Sequence, residues 1–291
     1  MELKSSKENV RFGQAVFSPK SDNIIYATGY EFTSDGRMLG IKWCQNRPCG
    51  IWKLSLDRLW QPLFGDKLNP ATVITVALQK LTPASLSCRS PRTFEHHGGS
   101  TLAWLACPTG GAHVRASALY CLDISMESHT SYLKTTDKPL VPVTNYILSD
   151  PDVDAFPGLF PSYNLPSSPI IITELESEPV PSIVLHSQWR YRTTVLLIST
   201  RDGGVIDLTP ANKEQDSELY SWTVLATDGR SRVVCQRSSM SVPYEIMLGY
   251  FDKTGSVSWH LIDKPDLPKH SKLFSASIAS QIFIDVFFII S

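Results

Sequence analysis

The chain has 291 residues, of which 42% are hydrophobic, and a net charge of −1 from 27 basic and 28 acidic side chains. This balance provides no positive field that would attract nucleic acid or an anionic membrane surface, so both are excluded as partners. Twenty prolines and sixteen glycines interrupt the chain too often for long helices, which predicts an all-β protein.

The first predicted blade begins at Ser18-Pro19. A residue that precedes proline is kept out of the helical conformation, which predicts an extended start to this blade. The same motif recurs at Ser90-Pro91. Pairs of short apolar or alternating runs then recur along the chain. The pairs are 21–27 with 50–56, 100–106 with 117–123, 181–187 with 193–199, and 231–237 with 244–250.

A repeated β unit that cannot bury its own faces is typical of a β-propeller blade. We therefore predict a partial β-propeller of about four blades within a domain that spans 1–269. The predicted blades are roughly 14–60, 86–125, 156–210 and 219–263. The residues expected to be buried in their strands are Trp104, Leu122, Val184, Leu196, Val234 and Met247.

Two segments do not fit the blade pattern. The connection 126–180 is rich in Pro, Ser, Thr and Asp, which predicts a long loop with an extra strand at Ile170–Ile172. Residues 270–291 form an apolar tail, in which Ile282–Ile290 is far shorter than the ~20 residues that a membrane helix needs. We expect this tail to be a terminal strand or an aggregation-prone segment, and an incomplete propeller to leave apolar blade faces bare.

The six cysteines are predicted to be reduced and mainly structural. The first eight residues contain no apolar signal core, and no Asn-x-Ser/Thr acceptor for glycosylation occurs. Free thiols inside strands behave as small hydrophobic side chains, and reduced cysteines are typical of the cytosol. We therefore expect a cytoplasmic protein.

Motifs for catalysis are weak. No Gly-x-Ser-x-Gly nucleophile elbow occurs. His97-Gly98-Gly99 has the form of an oxyanion-hole loop, but the polar segment 90–96 before it favours a loop between strands. The histidines at His113, His186 and His260 are interpreted as strand or loop residues rather than as catalysts.

Motifs for metals and cofactors are equally weak. The acidic segment Asp150–Asp154 begins like a calcium loop, yet Ala155 and Pro161 replace the glycine and glutamate that such a loop requires. Cys44 and Cys49 lie five residues apart across a loop, which leaves a disulfide or metal pair open as the less favoured alternative. No phosphate-binding fingerprint occurs. We predict no catalytic, cofactor-binding or metal-binding residues.

One basic run has two interpretations. Arg37, Lys42 and Arg47 alternate with Trp43 and Trp52. The functional interpretation is a rim that contacts a peptide carboxylate or an acidic partner domain. The structural interpretation is a solvated hairpin whose tryptophans pack within the blade, and it is favoured.

Three stretches of the sequence are distinctive: Glu8–Ala15, Tyr30 and above all Leu39–Trp52, which contains Leu-Gly-Ile-x-x-Cys-x-Asn-Arg. In these stretches the chain resembles the acylaminoacyl-peptidases, also called acylamino-acid-releasing enzymes or acylpeptide hydrolases, of the prolyl oligopeptidase class of serine peptidases. Weaker similarity follows at Ser187–Arg192 and Val205–Pro210, and after about Lys269 the tail departs from the family pattern.

The resemblance implies an enzyme in which an N-terminal propeller covers an α/β-hydrolase domain that releases N-acylated amino acids from short peptides. The family's Ser, Asp and His belong to that second domain, and no position here matches their motifs, so we expect the chain to be inactive alone. Its expected partners are the hydrolase domain and, in the full enzyme, N-acylated short peptides, with self-association as a further option. The alternative function is an independent propeller-like protein-interaction module.

Overall fold

The structure is a computed structural model that describes residues 10–32, 35–37, 47–56, 76–96, 99–110, 115–125, 156–160, 164–175, 178–189, 192–209, 220–240 and 242–266. All of the regular secondary structure in these ranges is β-strand. The chain divides into two compact units, 1–165 and 166–291. The prediction of an all-β protein is confirmed.

The first unit contains a seven-stranded sheet in the order β1-β2-β3-β5-β6-β7, with β4 paired to β3. Neighbouring strands are antiparallel, except that β3 and β5 meet in parallel at the single pair Cys49 and Ser87. The strands are β1 (Val10–Ser18), β2 (Ser21–Glu31), β3 (Cys49–Leu56), β4 (Val76–Lys80), β5 (Leu86–His96), β6 (Gly99–Pro108) and β7 (Ala118–Asp123).

The second unit contains two four-stranded antiparallel sheets, in the orders β11-β10-β9-β8 and β12-β13-β14-β15. The first sheet comprises β8 (Ile170–Leu175), β9 (Glu178–Trp189), β10 (Arg192–Ser199) and β11 (Val205–Asp207). The second comprises β12 (Ser221–Thr227), β13 (Arg232–Ser238), β14 (Glu245–Phe251) and β15 (Val257–Asp263). Four-stranded antiparallel meanders are the blade unit of a propeller, and the fold class is that of a partial β-propeller.

All four predicted strand pairs are confirmed as antiparallel neighbours. They correspond to β2 with β3, β6 with β7, β9 with β10, and β13 with β14. In both four-stranded sheets the predicted pair forms the two central strands, each of which is hydrogen-bonded to a neighbour along both edges. The extra strand at Ile170–Ile172 is confirmed as part of β8.

The prediction about the Ser-Pro steps is wrong. Ser18 ends β1 rather than starting a blade, since Pro19 and Lys20 form the turn to β2 and β1 already begins at Val10. Ser90-Pro91 lies inside β5, where the pairing with β6 shifts register between Arg89 and Arg92. Proline donates no backbone hydrogen bond, so in a sheet it is placed at ends and bulges, and both outcomes occur here.

Four of the six residues predicted to be buried are in the core: Trp104, Val184, Leu196 and Met247. Leu122 and Val234 are only half-buried. In β13 the core face carries Val233 and Cys235, so alternation places Val234 on the opposite face. The run Val-Val-Cys is apolar throughout and does not indicate which face is inward.

Candidate functional site

Two residues other than glycine adopt the left-handed backbone conformation among the described residues: Gln14, with φ 50°, and Ser90, with φ 56°. Each lies at a β-bulge, where β1 shifts register against β2 and β5 against β6. Such a conformation costs about 1–3 kcal/mol and persists only when surrounding contacts hold it, often at functional positions. These two bulges are therefore candidates for a functional site.

The two bulges are hydrogen-bonded to each other. The Gln14 side-chain oxygen accepts from the backbone N–H of Ser90 at 2.8 Å and from the hydroxyl of Thr28 at 3.1 Å. Its amide nitrogen donates to the Oδ1 of Asn164. One side chain from β1 therefore satisfies the backbone of a bulge that lies 76 residues away in the sequence.

Ser90 and Arg92 extend this arrangement to the end of the first unit. The buried Ser90 hydroxyl accepts from the N–H of Leu165 at 2.8 Å, and Arg92 Nη2 donates to the Leu165 carbonyl at 2.6 Å. Burial lowers the pKa of Arg92. We call Gln14, Ser90, Arg92, Asn164 and Leu165 the bulge cluster. Its bonds run mainly to backbone groups, so it fixes the path of three chain segments.

Serine, aspartate and histidine also meet at the end of β7, without the geometry of a catalytic triad. The Ser125 hydroxyl and backbone N–H both donate to Asp123 Oδ1, and the hydroxyl bond is the main cause that lowers the pKa of Asp123. His96 Nε2 lies 3.1 Å from Thr101 Oγ1. In a triad the serine donates to the histidine. Here it donates to the carboxylate and closes a turn.

The five described cysteines, Cys49, Cys88, Cys107, Cys121 and Cys235, are free thiols. Burial raises the pKa of Cys88 and of Cys121 to about 12, and it also raises the pKa of Cys235 and of Cys49. A thiol reacts as its thiolate, so thiols with such pKa values are poor nucleophiles at neutral pH. Cys44, the suggested partner of Cys49, lies outside the described residues.

The basic run is described only in part. Arg37 is exposed and pairs with Asp35 at 3.1 Å. Trp52 is buried in the sheet, where its ring meets that of Phe12 edge-on at 5.9 Å. This packing agrees with the structural interpretation of Trp52. Lys42 and Trp43 lie outside the described residues, and the rim that would contact a carboxylate stays a prediction.

His96 at the end of β5 pairs directly with Gly99 at the start of β6, so the segment His97-Gly98-Gly99 lies between two paired strands, as predicted. His97 and Gly98 are outside the described residues. Gly99 has φ 144°, and a Cβ there would lie 1.8 Å from Ser125 Oγ, so a side chain has no room.

The histidines also lie where they were expected, as far as they are described. His186 is on β9 and His260 on β15, while His113 lies outside the described ranges. His260 is exposed, with its ring 5.5 Å from that of Tyr250. His186 is half-buried, and its Nδ1 accepts from the backbone N–H of Val224 at 3.2 Å. It thus links one four-stranded sheet to the other.

We expect His186 to make the protein less stable as the pH falls. Burial lowers its pKa, so the folded protein holds it neutral while the unfolded chain binds a proton near pH 6.5. The free energy of unfolding should be constant above about pH 6.5 and fall below it, since the unfolded state then binds more protons. Urea unfolding between about pH 5.5 and 7.5 measures this. His186→Gln should reduce the dependence and His260→Gln should preserve it; equal dependence in both variants would contradict the assignment.

Within the described ranges, no group of three or more His, Cys, Asp or Glu side chains is placed to hold a metal ion. The calcium-like segment Asp150–Asp154 and the tail 270–291 lie outside those ranges. The part of the chain that the structure describes also contains no helix long and apolar enough to cross a membrane.

Comparison with known proteins identifies similar sequences along almost the whole chain. The family model described as "Acylamino-acid-releasing enzyme, N-terminal domain" matches residues 2–273. The acylamino-acid-releasing enzyme of Arabidopsis thaliana is 26% identical over 291 residues, covering 97% of this chain and 34% of the relative. Acylamino-acid-releasing enzyme 2 of Oryza sativa subsp. japonica is 29% identical over 300 residues, covering 96% and 36%. The chain thus spans about a third of the length of these relatives.

Proposed function

Because the chain belongs to the family of acylamino-acid-releasing enzyme N-terminal domains, we propose that it is a non-catalytic propeller segment that controls access to a hydrolase domain. The family match over residues 2–273 is the observation that carries this proposal. The substrates would be short peptides with acylated N-termini, in keeping with the name of the relatives.

The chemistry of the described residues supports a role without catalysis. The serine at the end of β7 donates to a carboxylate, and burial raises the pKa of four cysteines. The bulge cluster holds backbone segments in place. An all-β scaffold whose distant segments are joined by such hydrogen bonds suits a part that shapes the route to a site and leaves the reaction to another domain.

Controlled access would provide selectivity in two ways. A propeller above the active site excludes folded proteins by size and admits short peptides. Covering the site also removes water, which strengthens the electrostatic interactions that act on the bound substrate. The catalytic domain would lie outside these 291 residues, on the same polypeptide or on another.

A chimaeric enzyme tests the proposal. This chain would replace the matching third of the Arabidopsis relative, and hydrolysis would be compared for a short acetylated peptide and an acetylated folded protein. We expect the chimaera to cleave only the peptide, and the relative without its N-terminal third to lose this preference. The isolated chain should neither hydrolyse an acetyl-amino-acid chromogenic substrate nor react with a fluorophosphonate probe.

Each part of the experiment has its own result that would contradict the proposed function. Stoichiometric labelling of a serine in the isolated chain would show that it is catalytic. A chimaera that cleaves the folded protein as fast as the peptide would show that the segment does not control access. The full-length relative serves as the positive control for both substrates.

A further inference from the structure

Three Asp-Gly steps occur in the sequence: Asp35-Gly36, Asp202-Gly203 and Asp228-Gly229. Their glycines have positive φ angles of 77°, 75° and 74° respectively. Because glycine has no Cβ, the backbone nitrogen that follows each aspartate is open to attack on the aspartate side chain. Asp35 is flanked on both sides by segments outside the described ranges, so the two later steps are the ones whose surroundings can be compared.

The two aspartates of these later steps are both exposed, but their carboxylates are held differently. Asp228 Oδ1 accepts hydrogen bonds from the backbone N–H groups of Arg230, Ser231 and Arg232, each at 2.9 Å. Its Oδ2 accepts from Arg232 Nε at 2.9 Å. A rotation of this carboxyl group toward the nitrogen of Gly229 would break all four bonds.

The carboxylate of Asp202 has fewer such bonds. Its Oδ1 accepts from the backbone N–H of Gly204 at 3.0 Å. This bond and one from the Ser199 hydroxyl lower the pKa of Asp202. In both turns the N–H of the glycine after the aspartate also donates a hydrogen bond. The two steps therefore differ mainly in how firmly the carboxylate is fixed.

We propose that Asp202 is a site of isoaspartate formation, and that Asp228 is protected from the same reaction by its hydrogen bonds. The backbone nitrogen of Gly203 attacks Cγ of Asp202, a C–N bond forms, a C–O bond of the carboxyl group breaks, and water leaves to give a succinimide. Water then adds to the main-chain carbonyl carbon of Asp202, and the bond from that carbon to the ring nitrogen breaks. No oxidant or reductant is needed.

The product identifies the class of enzyme that would recognise it. The main chain now runs through the side-chain carbon atoms of Asp202, and the α-carboxylate becomes the side group. A methyltransferase directed at isoaspartate esterifies this carboxylate with S-adenosylmethionine. The aged chain should therefore be a substrate for such an enzyme at Asp202.

Isoaspartate in this turn should weaken the pairing of β11 with β10. The modified backbone is one carbon longer, whereas the turn is closed by the N–H of Ser199, which donates to the Gly204 carbonyl at 3.0 Å. Strand β11 is an edge strand of three residues, so few bonds hold its register. Leu208, directly after it, donates to the Val195 carbonyl at 2.8 Å and accepts from Trp259 Nε1 at 3.0 Å. We expect the Leu208 amide to exchange faster with solvent after the modification.

Ageing of the full chain at neutral pH tests the proposal, with isoaspartate located by peptide mapping and mass spectrometry. In the folded protein we expect at least about tenfold more isoaspartate at Asp202 than at Asp228, because hydrogen bonds to a charged group are among the stronger ones and Asp228 accepts four. In the same protein unfolded in urea, the two rates should become similar. Methylation by an isoaspartyl methyltransferase should label the Asp202 peptide of the aged folded protein.

Asp202→Ser is the matched variant, because serine has no carboxyl group and cannot form the succinimide. After ageing, this variant should keep the slow exchange of the Leu208 amide that the unmodified chain loses. Equal isoaspartate at both positions in the folded protein, or none at Asp202, would overturn the proposal. A difference that persists in urea would also overturn it, since it would then come from the local sequence and not from the hydrogen bonds.

Discussion

Trp104→Ala is expected to destabilise the first unit by about 3–5 kcal/mol, the usual cost of truncating a large buried aromatic side chain. Trp104 belongs to a core cluster of the first unit and has 0% exposure. Its ring stacks on that of Tyr120, with 5.6 Å between centroids and an angle of 12°. It also lies opposite the bulge at Ser90-Pro91, because Leu105 pairs with Arg89 and Ala103 with Arg92.

Urea unfolding measures this loss, and Phe17→Ala is the control. Phe17 is an aromatic residue of β1 in the same unit, but it is 62% exposed, so its truncation should change the free energy of unfolding by less than about 0.5 kcal/mol. Trp104→Leu retains part of the apolar volume and should give an intermediate loss if Trp104→Ala does not fold. A loss at Phe17 equal to that at Trp104 would contradict the assigned core.

The strand pairs could be predicted from the sequence because each depends on local information. An apolar run of seven residues, a polar connection and a second run specify an antiparallel pair whatever lies elsewhere in the chain. The pairing of Ile24 with Ser55 and of Val195 with His186 follows from this pattern. The repetition of these pairs along the chain predicted the propeller architecture, which the family resemblance also implies.

The connections between distant segments could not be predicted in this way. The parallel contact of Cys49 with Ser87 joins two predicted blades into one sheet, and no periodicity in either segment encodes it. Ser90-Pro91 is recognisable as a motif in the sequence, yet the bulge that it forms is hydrogen-bonded to Gln14, 76 residues earlier. A side chain that hydrogen-bonds to a backbone group far away in the sequence produces no local sequence pattern. The roles of Asn164 and Leu165 in the bulge cluster can therefore be recognised only from the structure.

Gln14→Ala is the second large effect that we expect, because it removes the acceptor that holds two buried donors. The Ser90 amide and the Thr28 hydroxyl would both lose their bond to Gln14 Oε1, and an unsatisfied buried donor costs about 1–3 kcal/mol. Alanine would also inherit the left-handed conformation without the contacts that maintain it. Urea unfolding should show this loss, and hydrogen exchange should show faster exchange of the Ser90 amide. Asn164→Ala is the control, since Asn164 is exposed and accepts a hydrogen bond from the other end of the Gln14 amide. If both variants unfold alike and the Ser90 amide keeps its protection, the bulge of β5 is held by its own strand pairing rather than by Gln14.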